Sequence, residues 1–130
     1  METGIEIIAK ERARQIKEKG YTSEKDDKKI GGDLSDAAAI YAMGPAWRKL
    51  PIAPEFKKDE PITEKNQDGM VFTFVWPWQF KYYKPTHYNR DENTCDPETN
   101  EDIKARVHEL AKAGALIAAE IDRLLRLKNR

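Results

Sequence analysis

The chain has 130 residues, 35 % of them charged and 39 % hydrophobic, and its 23 basic and 23 acidic side chains cancel to a net charge of zero. One domain spanning 1–130 is expected, and the absent basic field argues against a non-specific coat on a DNA or RNA polymer. Cys95 is the single cysteine, so no intrachain disulfide framework exists, and with His87 and His108 it gives no CxxC or HxxxH spacing to support a metal.

The first helix starts at Thr3, because Thr3 and Glu6 form a capping box. Ile5, Ile8, Ala9 and Ile16 follow at helical spacing, and Gly20 is placed as the stop. Glu11, Arg12, Arg14, Gln15 and Lys17 occupy the other face, which reads as solvated or as a polar surface between subunits. Tyr21 to Gly32 is charged and reads as a loop. Gly32 or Asp33 then caps a short helix from Leu34 to Met43, whose Ala37-Ala38-Ala39 run allows close packing and which Gly44-Pro45 ends. Pro51, Pro54 and Pro61 punctuate a long polar loop over 45–69, a length that is often functional.

Every second residue from Phe72 to Tyr82 is aromatic: Phe72, Phe74, Trp76, Trp78, Phe80 and Tyr82. Met70 to Val75 is the best strand, Pro77 ends it or confines it to an edge, and Gln79 to Tyr83 is a second extended piece. Together they form a small antiparallel β element. Phe72 and Phe74 share one strand face and suit a core. Beyond Pro77, Phe80, Tyr82, Tyr83 and Tyr88 interleave with Lys81, Lys84, His87, Asn89 and Arg90. That mixture suits a nucleotide, and it equally suits an aromatic cluster under a loop.

Thr99 and Asp102 give the capping signal of a long C-terminal helix. Ile103, Val107, Leu110, Gly114, Ile117, Ile121 and Leu124 recur at spacings of four and three, widened by Ala111, Ala118 and Leu125. This heptad-like seam reads as intrachain core, a subunit interface, or both. An apolar-poor chain gains by burying surface against its own copies, so a homo-oligomer is expected. The fold class is α+β and helix-dominated. Arg106 lies one turn into the helix at the seam's edge and suits either a phosphate or an ion pair with Asp102 or Glu109.

Catalytic sets are weak. The Asp33/Asp36 and Glu98/Glu101 pairs are similar to the magnesium-binding acids of all-helical nucleotide pyrophosphohydrolases, but each pair also suits a helix N-terminus. Nothing brings Cys95 and His108 together, and Gly31-Gly32 lacks the context of a phosphate loop. No apolar run is long enough for a membrane span, so a soluble protein without membrane partners is expected, and the lone thiol fits a reducing cytoplasm.

Five tracts carry a resemblance: Ile-Ala-Lys-Glu-Arg-Ala-Arg-Gln (8–15), Gly-Tyr-Thr-Ser-Glu-Lys-Asp-Asp (20–27), Gly-Asp-Leu-Ser-Asp-Ala-Ala (32–38), Trp-Pro-Trp (76–78) and Lys-Ala-Gly-Ala-Leu-Ile-Ala-Ala-Glu-Ile-Asp-Arg (112–123). In this order they resemble the phage-encoded Thoeris anti-defence protein one family, over nearly the whole chain apart from 45–69. The resemblance implies a non-catalytic sponge, without cofactor, in the cytoplasm of the infected bacterial host. It binds a cyclic ADP-ribose isomer between two subunits of a dimer-built hexamer, so that the immune effector is not triggered. Cyclic di- or trinucleotides are implied at a second site near a threefold axis.

The same resemblance implies that Phe80 stacks on adenine, Asn89 and Asp91 contact ligand hydroxyls or base edges, and Arg106 and Arg123 bind phosphate. Gln15 and Arg12 are carried to the oligonucleotide site, and Trp78 completes the ligand-binding set. Arg123 lies roughly opposite the seam, which requires a neighbouring subunit to supply its pocket. A pyrophosphohydrolase-like enzyme, or a direct inhibitor of a host enzyme anchored by Trp-Pro-Trp, are the alternatives.

Overall fold

The structure, a computed structural model, describes residues 1–29, 32–43, 75–86, 88–91, 93–94 and 96–129, with Phe80 described for its backbone alone. Among these residues the architecture is helix-dominated: α1 (Gly4–Lys19), α2 (Ser23–Asp27), α3 (Asp33–Ala42) and α4 (Asn100–Lys128). No helix among them is long and apolar enough to cross a membrane. The 45–69 loop, the Gly44-Pro45 stop and the Met70–Phe74 part of the expected strand lie outside the described residues.

The local signals work as expected at the helix ends. The Thr3 hydroxyl accepts from Glu6 N–H while Glu6 Oε1 accepts from Thr3 N–H at 2.9 Å, a complete capping box. Gly20 takes the left-handed conformation at φ 70°, and Tyr21 N–H closes on the Gln15 carbonyl at 3.0 Å. Thr99 caps α4 by accepting from Asp102 N–H at 3.1 Å. Tyr21 to Gly32 is not wholly loop. Thr22 caps the five-residue α2, a length that local propensity alone does not sustain. Arg126 at the far end of α4 holds it, donating to Asp27 Oδ1 at 2.9 Å and to the Ser23 carbonyl at 3.3 Å.

The 29-residue α4 is about 43 Å long and is the spine against which α1, α2 and α3 pack. Its contact with α3 is built from small residues. Leu34, Ala37, Ala38, Ile40 and Tyr41 of α3 form one core with Ala113, Leu116 and Ala119 of α4, joined by Trp76 and Tyr83. The bulky residues of the seam are not intrachain core, since Ile103 is 48 % exposed, Ile121 52 % and Leu124 50 %, whereas its small residues Ala111, which is buried, and Gly114, which meets Ile8 of α1, are packed within the chain. The reason is geometric. α3 takes the alanine-rich side, where the two helices approach closely, and leaves the bulkier β-branched and leucine side outward.

α1 also departs from simple amphipathicity. Ile5 and Ile16 are exposed, whereas Glu11 and Gln15 from the supposedly solvated face are buried. At the crossing with α4, a methyl group on Gly114 would stand 2.7 Å from Ile8 Cδ1 and 2.8 Å from Ile8 Cγ1.

The expected β element is not shown among the described residues. Gln79 to Tyr83 is not extended: Phe80–Tyr82 is a 3-10 turn in which Tyr82 N–H donates to the Gln79 carbonyl at 3.0 Å. Trp76 Nε1–H donates to the same carbonyl at 3.2 Å, so local bonds to one oxygen override the alternating pattern. Among the described residues the one antiparallel bridge is elsewhere, between Arg90 and Pro97.

The Gly114 crossing yields a test. Gly114→Val should lower stability by ~1–3 kcal/mol through overpacking, despite valine's better helix propensity. Adding Ile8→Ala should restore part of that loss in urea denaturation; additive losses would show that the contact does not limit the helix approach.

Candidate functional site

The aromatic segment folds back onto α3 and the middle of α4. Trp76 is the hub of a ring cluster, with centroids 5.7 Å from Tyr41, 5.2 Å from Tyr83 and 5.5 Å from Trp78. Tyr41 Oη accepts from Lys84 N–H at 2.9 Å, which fixes the chain leaving the cluster. Tyr41, Trp76 and Trp78 form one wall of a cavity of about 640 Å³. Tyr21 and Tyr82 extend the aromatic lining, and Arg14, Lys19, Lys84 and Lys112 supply positive charge. An adjoining cavity of about 500 Å³ shares Lys19, Tyr21, Trp78 and Tyr82 and adds Lys25 and Lys29. The Lys29 ammonium lies 5.0 Å from the Trp78 ring centroid, and that of Lys112 lies 5.5 Å from Tyr41.

The floor is charged and ordered. Arg14 grips Glu11 with two bonds, Nε–Oε1 at 2.8 Å and Nη2–Oε2 at 2.7 Å. Burial pushes the Glu11 carboxyl up, but the Arg14 bonds and charge, with His108 and Lys112 nearby, outweigh it and leave the group below its ordinary value. Burial lowers the Lys112 ammonium, whose Nζ donates to the Lys84 carbonyl. Burial and then the Lys112 charge lower His108, whose Nδ1 stands 3.3 Å from Thr86 Oγ1. Gln15, 4 % exposed, lines the same cavity; its Nε2 donates to Glu11 Oε2 at 3.5 Å, and its Oε1 has no partner among the described residues.

Of the sequence-predicted site residues, Trp78 and Gln15 meet at this cavity. The Phe80 side chain lies outside the described residues. Arg12 is a clasp, donating to Asp26 Oδ2 and to the Tyr21 carbonyl, both at 3.3 Å. Arg106 caps the C-terminus of α3: Nη1 donates to the Tyr41 carbonyl at 3.0 Å, Nη2 to that of Ala42, and Glu109 Oε1 lies 3.4 Å from Nη1. Arg123 is 8 % exposed and paired with Glu120 at 2.6 Å. Arg106 and Arg123 stand about 25 Å apart along α4, so one chain does not bring them to one phosphate pair.

Asn89 and Asp91 lie together on the bridged loop. Asn89 N–H donates to Asp102 Oδ1 at 3.0 Å, and Asp91 Oδ1 accepts from Asn93 N–H at 2.7 Å, shaping the turn. His87, Glu92 and Cys95 lie outside the described residues, among which no group of three or more His, Cys, Asp or Glu side chains could hold a metal.

Sequence reasoning missed Tyr21, Tyr41 and Lys112 as cavity residues. Tyr21 follows a glycine stop, where an apolar contact back to the helix is common. For Tyr41 and Lys112 no local signal exists, because the docking of α3 on α4 creates their position. No protein-family model, curated protein or solved structure matches the chain.

Two outcomes follow. Because Glu11 lies below its ordinary value near 4.5, its contribution is complete above that pH and is lost as pH falls through the lower folded value. Glu11→Gln should cost ~1–2 kcal/mol at neutral pH and flatten the acid limb of the urea midpoint against pH. An unchanged acid limb would remove Glu11 from the floor's electrostatics. Arg106→Ala should lower thermal stability, because it uncaps α3 and leaves the Glu109 carboxylate, 0 % exposed, without its guanidinium. An unchanged melting temperature would show that Arg106 is not structural.

Proposed function

We propose that the protein is a non-catalytic, phage-type anti-defence binder that sequesters a cyclic ADP-ribose-type nucleotide in the aromatic cavity between α1, α4 and the Trp76–Tyr83 segment. The observation that carries the reading is the pairing of ring faces with cations around one open space. Trp78, Tyr21 and Tyr82 offer π surfaces, and Lys19, Lys84 and Lys112 offer charge for a pyrophosphate. A volume of about 640 Å³, with a second lobe of about 500 Å³, suits a ligand of dinucleotide size.

Under this reading Lys19, Lys84 and Lys112 replace Arg106 and Arg123 as the phosphate grip within one chain, since those two arginines are engaged in helix capping and ion pairing, as Arg14 is with Glu11. Phe80 stays the adenine-stacking residue implied by the resemblance. Asn89 and Asp91 contact ligand edges where a second subunit closes the site, and the cyclic oligonucleotide site belongs to the same assembly. The exposed face of α4, with Ile103, Val107, Ile117, Ile121 and Leu124, supports a homo-oligomer, because so long an apolar stripe is unfavourable in water. Trp76 is 9 % exposed, which weakens the alternative of a direct inhibitor using Trp-Pro-Trp as its anchor.

Calorimetry with cyclic ADP-ribose isomers tests the reading. Trp78→Ala and Lys112→Met should each weaken binding by ~1–3 kcal/mol while circular dichroism stays unchanged. Ligand released by heating should be chemically intact; a hydrolysed product would favour the pyrophosphohydrolase alternative, and no heat with any isomer would reject the sponge.

A further inference from the structure

The bulky side of α4 is a solvent-facing stripe with a regular internal order. Ile103, Val107, Leu110, Ile117, Ile121 and Leu124 are each between 39 % and 52 % exposed. With Gly114 among them they recur at alternating steps of four and three residues, with no polar residue in the series. The neighbouring helices leave this stripe open. α3 packs on the side of Ala113, Leu116 and Ala119, and α1 reaches only its border, where Ile8 meets Gly114. Reversing the direction of a helix preserves the four–three alternation. A copy turned end over end therefore presents a matching row of apolar residues, which a two-fold contact between identical surfaces requires.

The two ends of the stripe differ in charge. Asp96, Glu98 and Glu101 stand exposed before and within the first turn of α4, and Lys104 offsets one of them. The step after Leu124 is Lys128, exposed in the last turn, with Arg126 in the same turn. Parallel pairing of two copies would set acids beside acids, Lys128 beside Lys128, and the helix dipoles in line. Antiparallel pairing sets each basic end beside an acidic one and opposes the dipoles. An unrelated apolar partner places no demand on opposite charge at the two ends of the stripe.

We infer that the exposed stripe of α4 is the contact between two copies of this chain, packed antiparallel about a two-fold axis near the Gly114–Ile117 turn. The surface, direction and centre of the pairing are thereby fixed, and they hold whatever ligand the cavity takes. The pairing carries the Lys128 end of one copy toward the Asn89–Asp91 loop of the other, since that loop is tied to the start of α4 by the bond from Asn89 N–H to Asp102 Oδ1 at 3.0 Å.

Light scattering and spin-label distances test the pairing. Ile117→Lys, in the middle of the stripe and 46 % exposed in one chain, should halve the mass of the wild-type particle and leave the helical circular dichroism unchanged. In a Cys95→Ser background, two copies both labelled at Glu101→Cys should hold their labels about 40 Å apart, because the antiparallel helices separate like ends by nearly their full length. One copy labelled at Glu101→Cys and the other at Asn129→Cys should bring the labels within about 25 Å, and parallel packing would reverse the two distances. A monomeric wild type, an unchanged mass in Ile117→Lys, or close labels at 101 would each overturn the inference. A monomer whose Ile117→Lys variant melts far below wild type would also overturn it, by assigning the stripe to packing within the chain. Calorimetry with cyclic ADP-ribose isomers decides the sponge reading separately, and its failure would leave this pairing standing.

Discussion

The close approach of α3 to α4 through small side chains governs the rest of the molecule. Ala37 and Ala38 on one helix meet Ala113 and Ala119 on the other, with Leu34, Ile40 and Leu116 closing the gaps. Alanine costs little side-chain entropy on burial, so the contact is inexpensive to order, although it buries modest apolar area per residue. The choice of that face fixes two further features. The bulkier Ile and Leu stripe of α4 must point outward, and Tyr41 at the end of α3 must stand where Trp76 and Tyr83 pack against it.

Around this contact, arginines and carboxylates act as clasps between elements distant in sequence. Arg106 closes the end of α3, Arg126 ties down α2, and Arg12 joins α1 to Asp26. Burial pushes the Asp26 carboxyl above its ordinary value despite Arg12, so this clasp carries a desolvation cost. Such guanidiniums are already committed to the protein. The charge left facing open space is mostly lysine, at Lys19, Lys25, Lys29 and Lys84 around the aromatic cavity. Lysine's flexible stem suits a rim that must adapt to a bulky anion.

What the sequence carried legibly was local. Thr3 with Glu6, Gly20, and Thr99 with Asp102 each encode their own helix end through bonds within a few residues. The seam from Ile103 to Leu124 was also legible as a stripe, but periodicity identifies a face without saying what covers it. The fate of that stripe was set by α3, whose alanines preferred the neighbouring side of the helix. The alternating aromatics misled between Gln79 and Tyr83 because one carbonyl, that of Gln79, collects bonds from Trp76 and Tyr82. The cavity was legible only in part. Trp78 is marked by the alternating aromatics and the Trp-Pro-Trp tract, whereas Tyr21, Tyr41 and Lys112 converge from three separate parts of the chain. The resemblance singled out Gln15, but no spacing rule foretells an orphaned oxygen on a buried amide.

The central claim is that a cyclic ADP-ribose-type nucleotide enters the cavity walled by Trp76 and Trp78 and leaves it unchanged. Titration of the 15N-labelled protein with cyclic ADP-ribose isomers, followed through the tryptophan indole N–H resonances and the ligand's own proton spectrum, tests both halves together. The account predicts that the Trp78 indole signal shifts most, that of Trp76 shifts less because it donates to the Gln79 carbonyl, and the ligand spectrum persists unaltered in the bound sample. Binding that leaves both indole signals unmoved, or steady disappearance of the ligand, would contradict it.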